Sequence, residues 1–212
     1  MNDSPLRTYL AGKIRKTGDW RSHFLGVDNP AHILRDADGP FPFRVGSRVY
    51  TYPGPFFASC DHGCGHGPGS HGVDAGDSAP YCAGSLSSGL DAAYAAAGIK
   101  PEDLDSGGSQ RRPAVARLCL DALCRADALY LFIDDSTCHG SLVELGFALA
   151  KCIPSRVCFK SESLADEVWF AAAALAVAPE LHSYAVASDP YADFVAWQEE
   201  SPVSLSAAGG VS

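Results

Sequence analysis

The chain has 212 residues and a mass of 22.2 kDa, a length that a single folded domain accommodates. Apolar residues make up 47% and charged residues 19%, which excludes a chain that is disordered throughout. The 16 basic and 25 acidic residues give a net charge of −9, which disfavours general binding of polymeric nucleic acid or anionic membranes. No apolar run reaches the roughly 18 residues of a membrane helix, and the first residues lack the pattern of a signal peptide. We therefore expect a cytoplasmic protein.

The predicted elements begin with a short strand at Thr8–Gly12, and a basic loop follows it as far as Arg21. Residues 40–110 are rich in Pro and aromatic residues and then in Gly, His and Cys, which predicts a long insertion with one candidate strand at 48–52. From residue 113 the apolar spacing predicts helices and strands in alternation. These are a helix after 113, a strand at 128–133, a helix at 142–151, a strand at 156–160, a helix at 164–177, a strand at 182–187 and a helix at 191–199.

Alternating strands and helices are typical of an α/β fold with a parallel sheet. We predict a Rossmann-like or flavodoxin-like parallel sheet of about five strands, flanked by helices and carrying a long Gly/His/Cys-rich inserted loop. A single domain is expected over residues 1–200, with the insertion at about 40–110 and a disordered tail at 201–212.

Polar residues follow two of the predicted strands. Ligands of open α/β sheets bind beyond the carboxyl ends of the strands. The first strand is followed by residues 12–21, with the sequence GKIRKTGDWR, and the strand at 128–133 is followed by residues 134–144, with the sequence DDSTCHGSLVE. These two segments form the predicted site.

The second segment resembles the nucleoside 2-deoxyribosyltransferase-like superfamily. The family pattern has Ala-Asp before a buried strand, then an acidic loop, then Gly-Thr-x-x-Glu-(Leu/Ile)-Gly-x-Ala-x-Ala. Here Ala126-Asp127 precedes the strand, and Gly140-Ser141-Leu142-Val143-Glu144-Leu145-Gly146 follows the loop. The opening Tyr9-Leu10-Ala11-Gly12 is also similar to the family's first strand. The resemblance covers about residues 6–21 and 113–200.

This resemblance implies an enzyme that cleaves or transfers the N-glycosidic bond of a nucleoside or nucleotide. Glu144 would attack the anomeric carbon and hold the sugar covalently, as in two-step retaining glycoside chemistry, and Tyr9 would position it. Asp134 and Asp135 would bind sugar hydroxyls or protonate the base. The resemblance also implies a homodimer or higher homo-oligomer, with a small-molecule nucleoside or nucleotide as its ligand.

Two other interpretations remain open. Ser141-x-x-Glu144 before an apolar run is a capping-box pattern, so Glu144 could merely cap its helix in a non-catalytic nucleotide-binding module. The enzyme could also hydrolyse another N-ribosyl substrate, such as a dinucleotide.

Position 138 departs from the family pattern. The family's transferases carry an acid six residues before the catalytic Glu, and its nucleotide hydrolases carry a Ser that contacts the 5′-phosphate. This chain has Cys138 there, and it has Cys119 where a further catalytic Asp is usual. The acid that assists departure of the base is therefore left open among Asp134, Asp135, Asp121 and Asp19.

The basic loop after the first strand is similar to the Gly-Ser-Ile-Arg loop of the deoxynucleotide-hydrolase branch. Its Lys and Arg residues suit a 5′-phosphate, since Arg offers paired hydrogen bonds and Lys a point charge. The alternative is a solvated surface loop. The predicted substrate-binding residues are Gly12, Lys13, Arg15, Asp19, Arg21, Cys138, His139, Gly140, Ser141, His62 and His66.

The segment from Cys60 to His71 combines cysteines and histidines, which are zinc-ligand types. Its spacing matches no common zinc finger. A Gly-rich flap whose histidines contact substrate is the second interpretation, and a loop without a role is the third. We favour the flap because His-Gly recurs at 62, 66, 71 and 139, and so we expect no cofactor. The zinc alternative would use Cys60, His62, Cys64 and His66.

Overall fold

The computed structural model describes residues 5–13, 18–26, 41–55, 116–117 and 119–200. Most of the predicted insertion and the whole predicted tail lie outside these residues. Contacts divide the chain into two compact units. The described parts of the first unit are residues 5–13, 42–54 and 122–200, and those of the second are residues 18–26, 41, 55, 116–117 and 119–121.

The fold is α/β, as predicted, and is built on a mixed sheet of six strands. The strands are β1 Leu6–Gly12, β2 Phe41–Val45, β3 Arg48–Tyr52, β4 Ala128–Ile133, β5 Ser155–Phe159 and β6 His182–Val186. They lie side by side in the order β2-β3-β1-β4-β5-β6. The pairs β3–β1, β1–β4, β4–β5 and β5–β6 are parallel.

Strand β2 corrects the prediction of an all-parallel sheet of about five strands. Only two residues, Gly46 and Ser47, connect β2 to its neighbour β3, and so short a link joins only antiparallel strands. Gly46 has φ +57°, which the tight turn requires. Pro42 obscured the alternating pattern of β2, although proline is tolerated in a strand that lies at the end of the sheet.

The helices are α1 Arg21–Leu25, α2 residues 119–124, α3 His139–Ala150, α4 Glu162–Glu167, α5 Trp169–Leu175 and α6 Pro190–Glu200. The helix predicted at 142–151 thus begins three residues earlier. The helix predicted at 164–177 is two helices, because Val168 between them has φ −107° and ψ 35°, outside the helical range.

None of the helices in the described ranges is long and apolar enough to cross a membrane.

Helices α3 and α6 pack on opposite faces of the sheet. All six residues of β4 are buried, as the continuous apolar run predicts. Tyr130 of β4 contacts Phe194 and Trp197 of α6 on one face. Tyr9 of β1 pairs with Leu129, the neighbour of Tyr130, and so points to the other face, where its hydroxyl meets α3.

Candidate functional site

The candidate site begins where β1 and β4 end side by side. Gly12 at the end of β1 pairs with Phe132 of β4, so Lys13 and the segment from Asp134 emerge at one edge of the sheet. Strand β3 lies on one side of β1, and β4 lies on the other. The direction in which successive strands are added to the sheet therefore reverses between β1 and β4. Open α/β sheets bind ligands at such a reversal.

The two residues predicted as nucleophile and positioning tyrosine are in direct contact. The Tyr9 hydroxyl donates a hydrogen bond of 2.5 Å to Oε1 of Glu144. This length lies at the short end of the range for O–H···O bonds, where bonds to a carboxylate acceptor fall. The Tyr9 side chain is wholly buried, whereas Glu144 is only partly buried. A rigid phenol in β1 therefore orients a carboxylate that remains accessible.

Glu144 does not form the predicted alternative, a capping box. Helix α3 begins at His139, its N-cap residue is Cys138, and the Cys138 side chain makes no cap hydrogen bond. Ser141 is therefore already inside the helix, and Glu144 lies more than one turn beyond the helix start. A capping box needs its serine at the N-cap and its glutamate three residues later, so the motif does not act as one.

Lys13 bridges the ends of β1 and β4. Its Nζ donates hydrogen bonds of 2.7 Å to Oδ2 of Asp135 and 2.9 Å to Oγ1 of Thr137. Thr137 also donates to Asp135 from its backbone N–H at 2.8 Å and from its hydroxyl at 2.6 Å. The bonds from Lys13 and Thr137 hold the pKa of Asp135 well below its usual range. Asp135 is therefore an anion at neutral pH.

Cys138 occupies the position where the family pattern has an acid or a serine. Its side chain is buried, and this burial raises the pKa of the thiol to about 11. The thiol is neutral at physiological pH, so in charge it resembles the hydroxyl of serine rather than a carboxylate. His139 and Gly140, in the first turn of α3, are exposed, and Ser141 is buried.

Asp127, which belongs to the family motif, lies at the other end of β4. Its Oδ2 accepts a 2.8 Å hydrogen bond from the backbone N–H of Arg7, and its Oδ1 a 2.9 Å bond from the Arg7 guanidinium. The backbone N–H of Asp127 donates to the carbonyl of Arg7 in return. Asp127 thus joins the starts of β1 and β4, and its role is structural.

Asp19 and Arg21 form a buried ion pair within the second compact unit. The Arg21 Nη1 lies 3.0 Å from Asp19 Oδ1, and both side chains are almost completely buried. The guanidinium carbon of Arg21 also lies 4.6 Å from the centre of the Trp20 ring. Arg21 was predicted to bind phosphate, but its guanidinium interacts with Asp19 and Trp20 of the same segment.

Several predicted residues lie outside the described ranges. They are Arg15 and the flap or zinc residues Cys60, His62, Cys64 and His66. Within the ranges that are described, no three His, Cys, Asp or Glu side chains come together in a way that could hold a metal ion.

Two residues of the site, Thr137 and Gly54, were not predicted from the sequence. Thr137 gave no signal beyond being a polar residue in the loop after β4. Gly54 follows β3, and a methyl group placed on it would lie 2.7 Å from Cε2 of Tyr9. Its only signal in the sequence was the Pro-Gly pair at 53–54. That pair predicts a turn, but it does not indicate a contact with Tyr9.

Comparison of the chain with family models, with curated proteins and with solved structures finds no match.

Proposed function

We propose that the protein cleaves or transfers the N-glycosidic bond of a nucleoside or nucleoside 5′-monophosphate through a glycosyl ester on Glu144. The observation that supports this most strongly is the short hydrogen bond from Tyr9 to Glu144, which orients a partly accessible carboxylate. The strand order, with its reversal beside β1, fits a Rossmann-like sheet whose ligand lies at that edge.

In the first step a carboxylate oxygen of Glu144 bonds to C1′ of the sugar. The C1′–N bond breaks, and its electron pair leaves with the base. In the second step a water molecule or another base attacks C1′, and the Glu144 carboxylate is released. Tyr9 holds the carboxylate in the attacking orientation throughout, because its ring is fully buried on one face of the sheet.

Asp135 has a binding role in this proposal. Lys13 and Thr137 keep it ionised, so it accepts hydrogen bonds from sugar hydroxyls and does not supply a proton to the leaving base. Asp134 lies directly after β4. Among the carboxylates of this loop that the structure describes, Asp134 remains the candidate for proton donation.

The neutral Cys138 favours the nucleotide branch over the transferases. A neutral group at this position matches the serine that contacts the 5′-phosphate in the branch that the motif resembles. Lys13 adds a positive charge at the end of β1, and two of its three ammonium protons have partners among the described residues. A phosphate could take the third.

The experiment is a panel of nucleosides, nucleoside 5′-monophosphates and dinucleotides, incubated with the protein and scored for free base. We expect release from at least one monophosphate, and Glu144→Gln should reduce turnover by about 10⁴-fold or more. Glu167→Gln, which changes an exposed glutamate of α4, is the matched control and should leave turnover unchanged. Tight binding without release of base would instead identify a nucleotide-binding module.

A further inference from the structure

Gly54 lies against the tyrosine that orients Glu144. Its carbonyl accepts a 3.1 Å hydrogen bond from the backbone N–H of Leu10, which extends the pairing of β3 with β1 by one contact. Gly54 is buried at this point, beside Tyr9. The backbone that follows β3 is therefore held directly next to the ring.

The space beside Gly54 has no room for a side chain. A Cβ on Gly54 would lie 2.7 Å from Cε2 of Tyr9 and 3.4 Å from its Cδ2. Real Cβ atoms essentially never come closer than 3.0 Å to another heavy atom, so the Cβ or the ring would have to shift. The ring is wholly buried and its hydroxyl is bonded to Glu144, so it cannot move away without disturbing that bond.

We propose that Gly54 is a positioning residue for Glu144: its missing side chain lets the Tyr9 ring lie where its hydroxyl reaches the carboxylate. This inference rests on the proposed function, in which Glu144 is the nucleophile. A shift of the ring away from the new methyl group would lengthen or break the 2.5 Å hydrogen bond of its hydroxyl and turn the carboxylate from its attacking orientation.

A purely structural role would have a different consequence. If Gly54 only allows close packing, then Gly54→Ala lowers turnover by the same factor whether or not Tyr9 carries a hydroxyl. If Gly54 acts through the hydroxyl, the loss of turnover depends on that hydroxyl being present. Tyr9→Phe separates these cases because it keeps the ring and removes only the hydroxyl.

The experiment measures turnover and melting temperature for Gly54→Ala in the parent chain and in the Tyr9→Phe background. We expect kcat to fall about 10- to 100-fold in the parent chain, with KM little changed, and less than about threefold in the Tyr9→Phe background. The melting temperature should fall similarly in both. Equal losses of kcat in the two backgrounds would overturn the inference.

Gly146→Ala is the matched control. Gly146 lies in α3, and its φ is not in the left-handed range. Apart from its chain neighbours and the backbone of its own helix, no atom of the described residues lies within 4 Å of the position that its Cβ would take. The same substitution there should leave kcat unchanged.

A second measurement needs no substrate. With ¹³C-labelled tyrosine, the Cζ signal of Tyr9 is assigned by its loss in Tyr9→Phe, and it reports on the hydrogen bond to Glu144. Gly54→Ala should move this signal and Gly146→Ala should not. If the parent chain releases no base from any substrate, the proposed function fails while this signal still tests Gly54. An unmoved signal in Gly54→Ala refutes the positioning role.

Gly54→Ala could fail to fold. In that case Tyr9→Leu is added, because it removes the ring atoms that the new methyl group meets. Recovery of a folded protein in Tyr9→Leu/Gly54→Ala would support the contact with the ring. Failure of this double variant to fold, while Tyr9→Leu alone folds, would contradict it.

Discussion

At the scale of single residues, the candidate site depends on contacts between side chains far apart in the sequence. Glu144 and Tyr9 could be named from motifs because each belongs to a recognisable segment. The contacts among Lys13, Asp135 and Thr137 could not be predicted in this way. They depend on the pairing of β1 with β4, which are separated by more than 100 residues in the sequence. Lys13 and Asp135 were predicted separately, without the ion pair between them.

The phosphate role of Lys13 can be tested with Lys13→Met. We expect KM for a nucleoside 5′-monophosphate to rise about tenfold more than KM for the parent nucleoside, which corresponds to about 1.4 kcal/mol, since loss of the ion pair with Asp135 affects both substrates alike. The measurement is steady-state release of base from both substrates. Lys151→Met, at the exposed end of α3, serves as the control. Equal increases in KM for the two substrates would show that Lys13 does not contact the phosphate.

His182 gives a prediction about pH. Burial of its side chain lowers the pKa of the imidazole below its usual value near 6.5. The folded protein therefore resists protonation that the unfolded chain accepts, so the free energy of unfolding should fall as the pH drops below about 6.5. His182→Phe should flatten this dependence between about pH 7 and 5, as measured by urea unfolding.

At the scale of elements, the start and end of α3 differ from what the sequence pattern predicts. The Ser-x-x-Glu pattern suggested a start beside Ser141, but the helix begins at His139, with Cys138 as its N-cap. At the other end, Cys152 has φ +54°, a conformation in which glycine is usual just after a helix. The sequence carried no sign of this, because backbone strain at a cysteine leaves no compositional pattern.

The strain at Cys152 predicts that Cys152→Gly stabilises the protein. A left-handed conformation costs an ordinary residue about 1–2 kcal/mol, so relief should raise the free energy of unfolding by about 1 kcal/mol. Cys124→Gly is the matched control, because Cys124 is also an exposed free cysteine but lies within α2. There glycine should lower stability by a few tenths to about 1 kcal/mol. A loss of stability in Cys152→Gly, measured by chemical denaturation, would disprove the interpretation.

At the scale of the whole molecule, a buried ion pair joins α6 to the sheet. The Nη2 of Arg156 in β5 lies 2.6 Å from Oδ1 of Asp193 in α6. The hydroxyl of Tyr130 in β4 donates a 3.0 Å hydrogen bond to Oδ2 of the same carboxylate. The alternation of strands and helices predicted this architecture from β4 to α6 well, because the periodic apolar spacing there is unbroken. The β2–β3 pair was predicted only in part, since its two short strands lie in a segment rich in proline and aromatic residues.

Removing the carboxylate of this pair should be costly. Asp193→Ala leaves the Arg156 guanidinium buried and without its principal partner, and we expect a loss of about 3–5 kcal/mol in the free energy of unfolding. Glu200→Gln changes the more distant carboxylate, which lies 3.8 Å from Arg156 and is mostly exposed, and should cost less than about 1 kcal/mol. Urea unfolding measures both, and similar small losses would refute the importance of the buried pair.

Covalent capture of the sugar would show whether Glu144 acts as the nucleophile. The protein is quenched in acid during turnover of the substrate that it cleaves best, then digested, and its peptides are analysed by mass spectrometry. We predict that the peptide containing Glu144 gains the mass of one glycosyl residue, and that this adduct is absent from Glu144→Gln. Rapid release of base without any adduct at Glu144, or undiminished turnover by Glu144→Gln, would contradict the account.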